Sequence, residues 1–317
     1  MWNLIHNWQE MHRRGVLGIN RRNAEYLLAY NHRRHYPLVD NKLKTKQLAI
    51  AAGVAVPTLL GVVKVQQQVS RLPAFLDRFN DFVIKPACGS GGNGILVFSG
   101  RAAGGHRKIC GTVMAPDIIC EHTYDILAGM HSLGGLPDVA LIEERIDFDT
   151  VFSPVTHQGV PDIRIIIFHG VPVMAMLRLP TRESDGKANL HQGAIGAGLN
   201  LANGQTMTAV WHDQIITTHP DTGQPIPGLQ VPHWNEILHI ASRCGSLCGL
   251  GYIGADLVID RHRGPLLLEL NARPGLGIQM ANLTPLLPRL RQIEHSAELI
   301  QSAPENKIQF AKDHFGG

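Results

Sequence analysis

The chain has 317 residues, 44% hydrophobic and 17% charged, a balance that can build a buried core and excludes an intrinsically disordered chain. Glycine (33) and proline (19) follow no fixed period, which excludes a collagen-like repeat. The net charge of +3 is uneven: nine Lys/Arg against Glu10, Glu25 and Asp40 leave +6 over residues 1–46 and −3 over the remainder.

The first residues, MWNLIHNWQEMHRR, hold no continuous apolar core and so do not form a secretory leader. Residues 1–36 read as helical and polar, with Tyr26, Leu27, Leu28 and Tyr30 as a modest apolar stripe. The arginines here make a basic arm that can recruit nucleic acid, anionic lipid or an acidic protein, or else form a solvated helical face. Asp40 and Asn41 open a second helix over Lys42 to Ala52, closed by Gly53 and Pro57. Lys42 and Lys46, four apart, share one of its faces. The longest nearly apolar run, Leu48 to Val63, has 16 residues against the roughly 20 that cross a bilayer, so no membrane span is expected. Five cysteines, an odd count in a long chain, point to reduced thiols and a cytoplasmic location.

From Phe82 the texture turns to short strands. FVIK (82–85) and ILVF (95–98) flank PACGSGGNG, a helix is expected over 117–131, and ALIEERI (140–146) reads as a strand. IRIIIFH (163–169) and VPVMAMLRL (171–179) form a hairpin turning at Gly170. NEILHIASRCGSLCGL (235–250) carries a helical apolar period, with Cys244 and Cys248 on the apolar stripe as core residues. YIGADLVID and PLLLELNA make a second hairpin across RHRG. Without regular βαβ alternation, these elements imply α+β layers.

GSGGNG (89–94) matches G-x-G-x-x-G in form, but a strand follows it rather than a helix, so it is not a dinucleotide turn. What remains is a glycine hairpin whose backbone N–H groups can close over phosphates, with Lys85 at its base, or else an ordinary mobile hairpin. Glu269 and Asn271, two apart on a strand, share a face. If Ile259 stands opposite Leu266, the register puts Asp256 opposite Glu269, and three oxygen side chains converge. Two close carboxylates and an amide suit Mg²⁺; a register off by one would leave them merely exposed. KANLHQGA (187–194) gathers Lys187, Asn189 and His191 after the strand that carries Arg178, donors suited to an anion or to a solvated loop. Aromatics at 6%, with no basic–aromatic interleaving, argue against nucleic acid.

Lys85 in VIKP, the glycine loop, the acidic strand LIEERI and the GADLVID…LLLELNARPG hairpin stand in the order that resembles the ATP-grasp superfamily. DNKLKTKQLA, DIR (162–164) and NLHQGA resemble its glutamate-ligase-like branch, related to the ribosomal-protein-modifying glutamate ligase. The resemblance covers about residues 40–280 and implies two α+β subdomains clamping ATP. The expected organisation is a helical basic segment over 1–40, an ATP-grasp N-terminal subdomain over 41–145, a C-terminal subdomain over 146–300 and a tail over 301–317. The resemblance further implies that Lys42 and Lys85 hold ATP phosphates under a loop of Gly89, Ser90, Gly91, Gly92, Asn93 and Gly94. Glu144 and Arg145 would sit at the adenine hinge, Asp162 near the ribose and Lys187 near the γ-phosphate. Asp256, Glu269 and Asn271 would bind two Mg²⁺ ions, or Mn²⁺ in their place. Arg178, Asn189, Arg273 and Gly275 would face the transferred group. The implied activity is ADP-forming carboxylate–amine ligation through an acylphosphate, joining amino-acid, peptide or protein substrates. An ATP-grasp-fold kinase and a nucleotide-dependent binding module are the alternatives. Two departures stand out. The 40 residues ahead of Asn41 are too few for the α/β domain usual there, and Gly254 stands where some carboxylate ligases have arginine.

Overall fold

Phe82 and Ile84 alternate with Val83 and Lys85 along one strand, and this two-residue period sends the apolar pair to one face and the lysine to the other. A computed structural model describes residues 10–11, 13–89 and 91–316. It divides the chain into two units, the smaller of Asn41–Lys44 and Val56–Asp147. The larger takes the described residues up to Asp40, Thr45–Ala55, and those from Phe148 onward.

The smaller unit is an antiparallel sheet of β1 (Leu59–Val63), β2 (Asp81–Pro86), β3 (Leu96–Ala102), β4 (Gly105–Lys108), β5 (Val113–Met114) and β6 (Ala140–Glu144), in the order β1-β6-β2-β3-β4-β5. The helix α1 (Lys42–Ala51), of which only Lys42–Lys44 belong to this unit, begins where Asn41 Oδ1 accepts the Lys44 N–H, the expected cap. The helix α2 (Pro116–Leu127) starts on a proline and turns Ile119 and Ile126 inward. They meet Val69, Phe82, Ile84, Phe98 and Ile142 in one apolar cluster.

The larger unit is a seven-stranded antiparallel sheet. Its strands are β7 (Asp162–Phe168), β8 (Val171–Leu179), β9 (Ile195–Leu199), β10 (Thr206–Trp211), β11 (Gln214–Ile216), β12 (Tyr252–Asp260) and β13 (Gly264–Asn271). Their order is β11-β10-β9-β8-β7-β12-β13. The β7–β8 hairpin turns on His169 (φ 50) and Gly170 (φ 80), the left-handed pair that a tight two-residue turn requires. The helix α3 (Trp234–Cys248) buries Ile237, Ala241, Cys244 and Cys248 and stops at Gly249, φ 66. Burial pushes both thiols up, Cys248 to about 11, so these cysteines pack rather than react. The architecture is α+β, as expected, and no helix among the described residues is long and apolar enough to cross a membrane.

Two boundaries differ from expectation. Residues 301–317 are not a tail: Pro304–Phe315 is a helix, α4, that buries Ile308, Ala311 and Phe315 against β8 and α3. The described part of the basic arm is not a separate segment either. Leu17 exchanges hydrogen bonds with the Gln279 amide, Tyr26 is 1% exposed, and its ring lies 5.6 Å from Phe168 and 5.8 Å from Tyr252. Asn31 closes the join, donating to Tyr252 O and Ala272 O and accepting the Tyr252 N–H. Of the expected stripe, Tyr26 and Leu27 are buried but Leu28 is exposed. Residues 22–27 form a π-helix, whose wider turn breaks the 3.6-residue period.

Candidate functional site

In the smaller unit, Lys85 lies on the face of β2 opposite the apolar cluster, paired across from Leu141. Its Nζ meets Glu143 Oε2 at 2.7 Å, and both side chains are buried. Glu143 was not anticipated from sequence. Once Leu141 is known to oppose Lys85, the two-residue period puts Glu143 on the lysine's face and Glu144 on the other. Glu144 is exposed, and its N–H is spent on Thr58 O at 2.9 Å, so that group is not open to an adenine edge. Arg145 stands 3.6 Å from Asp81.

The glycine loop joins β2 to β3 as expected; Ser90 lies outside the described residues. Gly91, Gly92 and Gly94 take left-handed φ of 64, 79 and 74. Both ends are tied down. At the first, Asp138 Oδ2 accepts the Cys88 N–H (2.8 Å) and the Ser132 hydroxyl (2.7 Å), while Gly89 bridges Ser132. At the second, His122 Nε2 donates to Gly94 O at 3.0 Å, and a Cβ on Gly94 would stand 2.5 Å from the His131 ring. Lys42 Nζ donates to Gly89 O at 2.5 Å, so this ammonium braces the loop's first carbonyl.

In the larger unit, one sheet face carries the other candidates in rows. Asp162 pairs Arg178; Arg164 pairs Asp256, which pairs Glu269; Gly254 pairs Asn271. The expected opposition of Asp256 and Glu269 is present, but the expected register is not. Ile259 faces Pro265, not Leu266, and a bulge between Asp256 and Leu257 leaves Leu268 without an opposite and restores the pairing.

Two carboxylates on this face, Asp162 and Asp256, are held by guanidiniums. Arg164 Nε and Nη2 donate to Asp256 Oδ1 (2.7 Å) and Oδ2 (2.5 Å). Arg178 donates to both Asp162 oxygens at 2.5 Å and to Asp256 Oδ2 at 2.8 Å. Arg178, expected to face the transferred group, bonds two buried carboxylates here, and Asp162, expected near the ribose, bonds Arg178. Arg164, unassigned by sequence reasoning, follows Asp162 by two residues and so shares its face. Burial pushes Asp162 up to about 7, the Asp256 charge adding to it against the pull of Arg178. Against the same cost of burial, Arg164 and Arg178 hold Asp256 well below the usual carboxylate range.

Asn271 Nδ2 approaches Asp256 Oδ2 (3.3 Å) and Glu269 Oε1 (3.5 Å), so the three oxygen-bearing groups do converge. Among the described residues no cluster of three or more His, Cys, Asp or Glu forms a metal site; this set is two carboxylates and an amide. Such hard oxygen donors fit Mg²⁺, and each carboxylate oxygen has two lone pairs, leaving Asp256 acceptor capacity beside its arginines. Lys187 lies in the turn-rich stretch 181–193, and Asn189 caps a short turn by accepting the His191 N–H. Arg273 is exposed, donating to Asp40 (3.0 Å) over the Tyr36 ring, while Gly275 has open space where a Cβ would stand.

Comparison with known proteins adds four findings. Residues 21–295 match the family described as sugar-transfer associated ATP-grasp. A probable alpha-L-glutamate ligase of Maridesulfovibrio salexigens is 27% identical over 115 residues, which are 36% of this chain and 27% of that protein. The ATP-grasp ligase PsnB, solved with a minimal precursor, aligns over 83% of this chain and 62% of its own at 16% identity, TM-score 0.45. A D-alanine–D-alanine ligase from Bacillus anthracis, solved with ATP, aligns over 88% of this chain and 70% of its own at 13% identity, TM-score 0.44. The chain thus covers about a quarter of the curated relative's length.

Proposed function

Because the chain belongs to the sugar-transfer-associated ATP-grasp family, we propose that it is an Mg-ATP-dependent carboxylate–amine ligase working through an acylphosphate. The observation that carries this reading is the Asp256, Glu269 and Asn271 oxygen set, converging on one sheet face beside Arg164 and Arg178.

In this reading the smaller unit handles the nucleotide. Lys85, oriented by Glu143, sets a positive charge against the phosphates, and the glycine loop offers its N–H groups to them. Lys42 braces that loop through Gly89 O, and Glu144 and Arg145 flank the adenine. In the larger unit Asp256, Glu269 and Asn271 would hold Mg²⁺, two ions or Mn²⁺ in their place, which when bound neutralises charge on the ATP phosphates. Arg164 and Arg178 fix Asp256 in place, Asp162 fixes Arg178, and Lys187, Asn189 and Arg273 supply donors to the transferred group. The substrate carboxylate attacks the γ-phosphorus and ADP leaves. An amine then displaces phosphate from the acyl carbon, the nitrogen loses a proton to water, and an amide remains. Positioning and charge neutralisation suffice for these steps, which need no covalent intermediate on the protein. The partial match to a glutamate ligase supports an amino-acid or peptide carboxylate.

The test is ADP release with Mg-ATP across amino acids and short peptides. ADP formed only when a carboxylate and an amine are both present is the expected result. A stable phosphorylated product formed without any amine would replace the ligase with a kinase.

A further inference from the structure

Past the Gly254–Asn271 row, where the N-terminal segment lies on the sheet, there is a buried cation with no anionic partner among the described residues. Arg22 is 8% exposed. Its Nη1 donates to Pro274 O (2.6 Å), and its Nε and Nη2 both donate to Asn23 Oδ1 (3.1 and 2.8 Å). Every described partner of this guanidinium is a neutral oxygen. A charge taken from water is ordinarily paired, because neutral acceptors return only part of its lost hydration.

A second orphan adjoins it. Tyr252 is 0% exposed, and its hydroxyl has no hydrogen-bond partner among the described residues. A buried O–H with nothing to bond forfeits its hydration outright, so such groups are rare and call for a reason. The Tyr252 ring lies against Tyr26, which follows Arg22 on the same π-helix. Pro274, which accepts from Arg22, also packs over Gly254, two residues from Tyr252 on the same strand face. Arg22 and Tyr252 influence each other electrostatically, and burial together with the nearby Arg273 makes the Arg22 charge costlier to keep. π-Helical turns are rare and cluster where a side chain is placed for function.

This spot belongs to the same sheet face as the oxygen set. Tyr252 stands four residues from Asp256 along β12, about 13 Å at roughly 3.3 Å per residue. We propose that Arg22 and the Tyr252 hydroxyl form a subsite for an oxyanionic group of the substrate, a carboxylate or a phosphate borne away from the reacting carboxylate. Asn23 Oδ1 bonds the Nε–Nη2 edge of the guanidinium, the edge that a carboxylate or phosphate takes with two parallel bonds. Asn23 is exposed, so its amide can swing into water when the anion arrives. An uncharged analogue leaves both buried groups unpaired, and that asymmetry makes the subsite selective. The assignment of the anion to a ligase substrate rests on the reading above; its binding does not.

The experiment is calorimetric titration of the full chain, without nucleotide, with glutarate and separately with glucose 1-phosphate, at constant ionic strength. Binding of the first marks a carboxylate subsite, and binding of the second a phosphate subsite. Arg22→Gln should weaken the bound probe at least about tenfold, and Tyr252→Phe about three- to tenfold, as expected for lost bonds to a charged group. Asn23→Ala, which removes the competing oxygen, should tighten it. Tyr252→Phe breaks no bond in the free protein, so it should melt no lower than wild type. It decides the matter if Arg22→Gln does not fold. No binding by wild type, or equal binding by wild type and Tyr252→Phe, overturns the subsite. Probe binding that depends on Arg22, with no ADP release for any carboxylate and amine, sinks the ligase reading and keeps the subsite. Turnover whose substrate KM ignores Arg22 does the reverse.

Discussion

Asp256 sits between two guanidiniums, and this separates two substitutions that would otherwise look equivalent. Asp256→Asn leaves Arg164 and Arg178 facing a single carboxylate, and breaking such a buried pair costs about 3–5 kcal/mol. It should therefore lose turnover and melt well below wild type. Glu269 is only half-buried, so Glu269→Gln should lose turnover while melting within a few degrees of wild type. ADP release at saturating Mg²⁺ with thermal melts checks both, and near-wild-type release by Glu269→Gln removes it from the metal set. Lys85→Met removes the ammonium that meets the buried Glu143 carboxylate and should cost stability as well as ATP affinity. Adding Glu143→Leu should recover the melting temperature without recovering the affinity. Asp162 has a pH signature. Its folded pKa of about 7 lies above the ordinary 3.8, so folding favours its protonated form. That stability is fully present below about pH 4 and is lost as pH rises through 7. Asp256, held low, acts in the opposite sense, with stability lost as pH falls below the ordinary value. Urea unfolding of Asp162→Asn should thus give a flatter stability curve between pH 4 and 7 than wild type; an identical slope would remove the titration from Asp162.

The glycine loop shows how an element acquires precision from neighbours distant in sequence. Its composition announces flexibility, yet Asp138 ties its first end and His122 its second. Asp138→Asn keeps the volume but removes the charge that accepts the Cys88 N–H and the Ser132 hydroxyl. Charge-assisted bonds of this kind are worth roughly 1.5–3 kcal/mol, so the loop should loosen and ATP affinity fall by about tenfold, with the melting temperature moving less. Gly94→Ala should do the same, since its φ of 74 disfavours a side chain and the His131 ring occupies the Cβ position. Calorimetry with a non-hydrolysable ATP analogue measures both, and unchanged affinity in both variants would free the loop of these anchors. At this scale the β12–β13 hairpin was legible in part. Its strands, turn and acidic face follow from alternation, but the bulge that skips Leu268 does not, because a bulge reflects local twist and packing rather than residue period.

At the scale of the whole molecule the N-terminal segment changes meaning. Its charge suggested recruitment of an acidic partner, yet its buried side is structural, through Leu17, Tyr26 and Asn31. Reversing Arg33 and Arg34, both exposed, should leave the melting temperature nearly unchanged. Asn31→Ala removes the partner of Tyr252 O and N at the start of β12 and of Ala272 O just past β13, and should cost about 2–4 kcal/mol. Thermal melts of the two variants compare the outcomes, and a tolerant Asn31→Ala would return the segment to the solvated surface. The α+β class, the two hairpins, the amphipathic helix and the shared face of Asp256, Glu269 and Asn271 were determined by the sequence itself. Those features rest on period, turn chemistry and motif order, which are local. The Lys85–Glu143 pair, the Arg164–Asp256–Arg178–Asp162 network and the buried Arg22 with its neutral acceptors were decided only in the tertiary structure. Each joins strands or segments far apart in the chain, and which residues then face one another depends on register and burial, quantities that no local pattern carries.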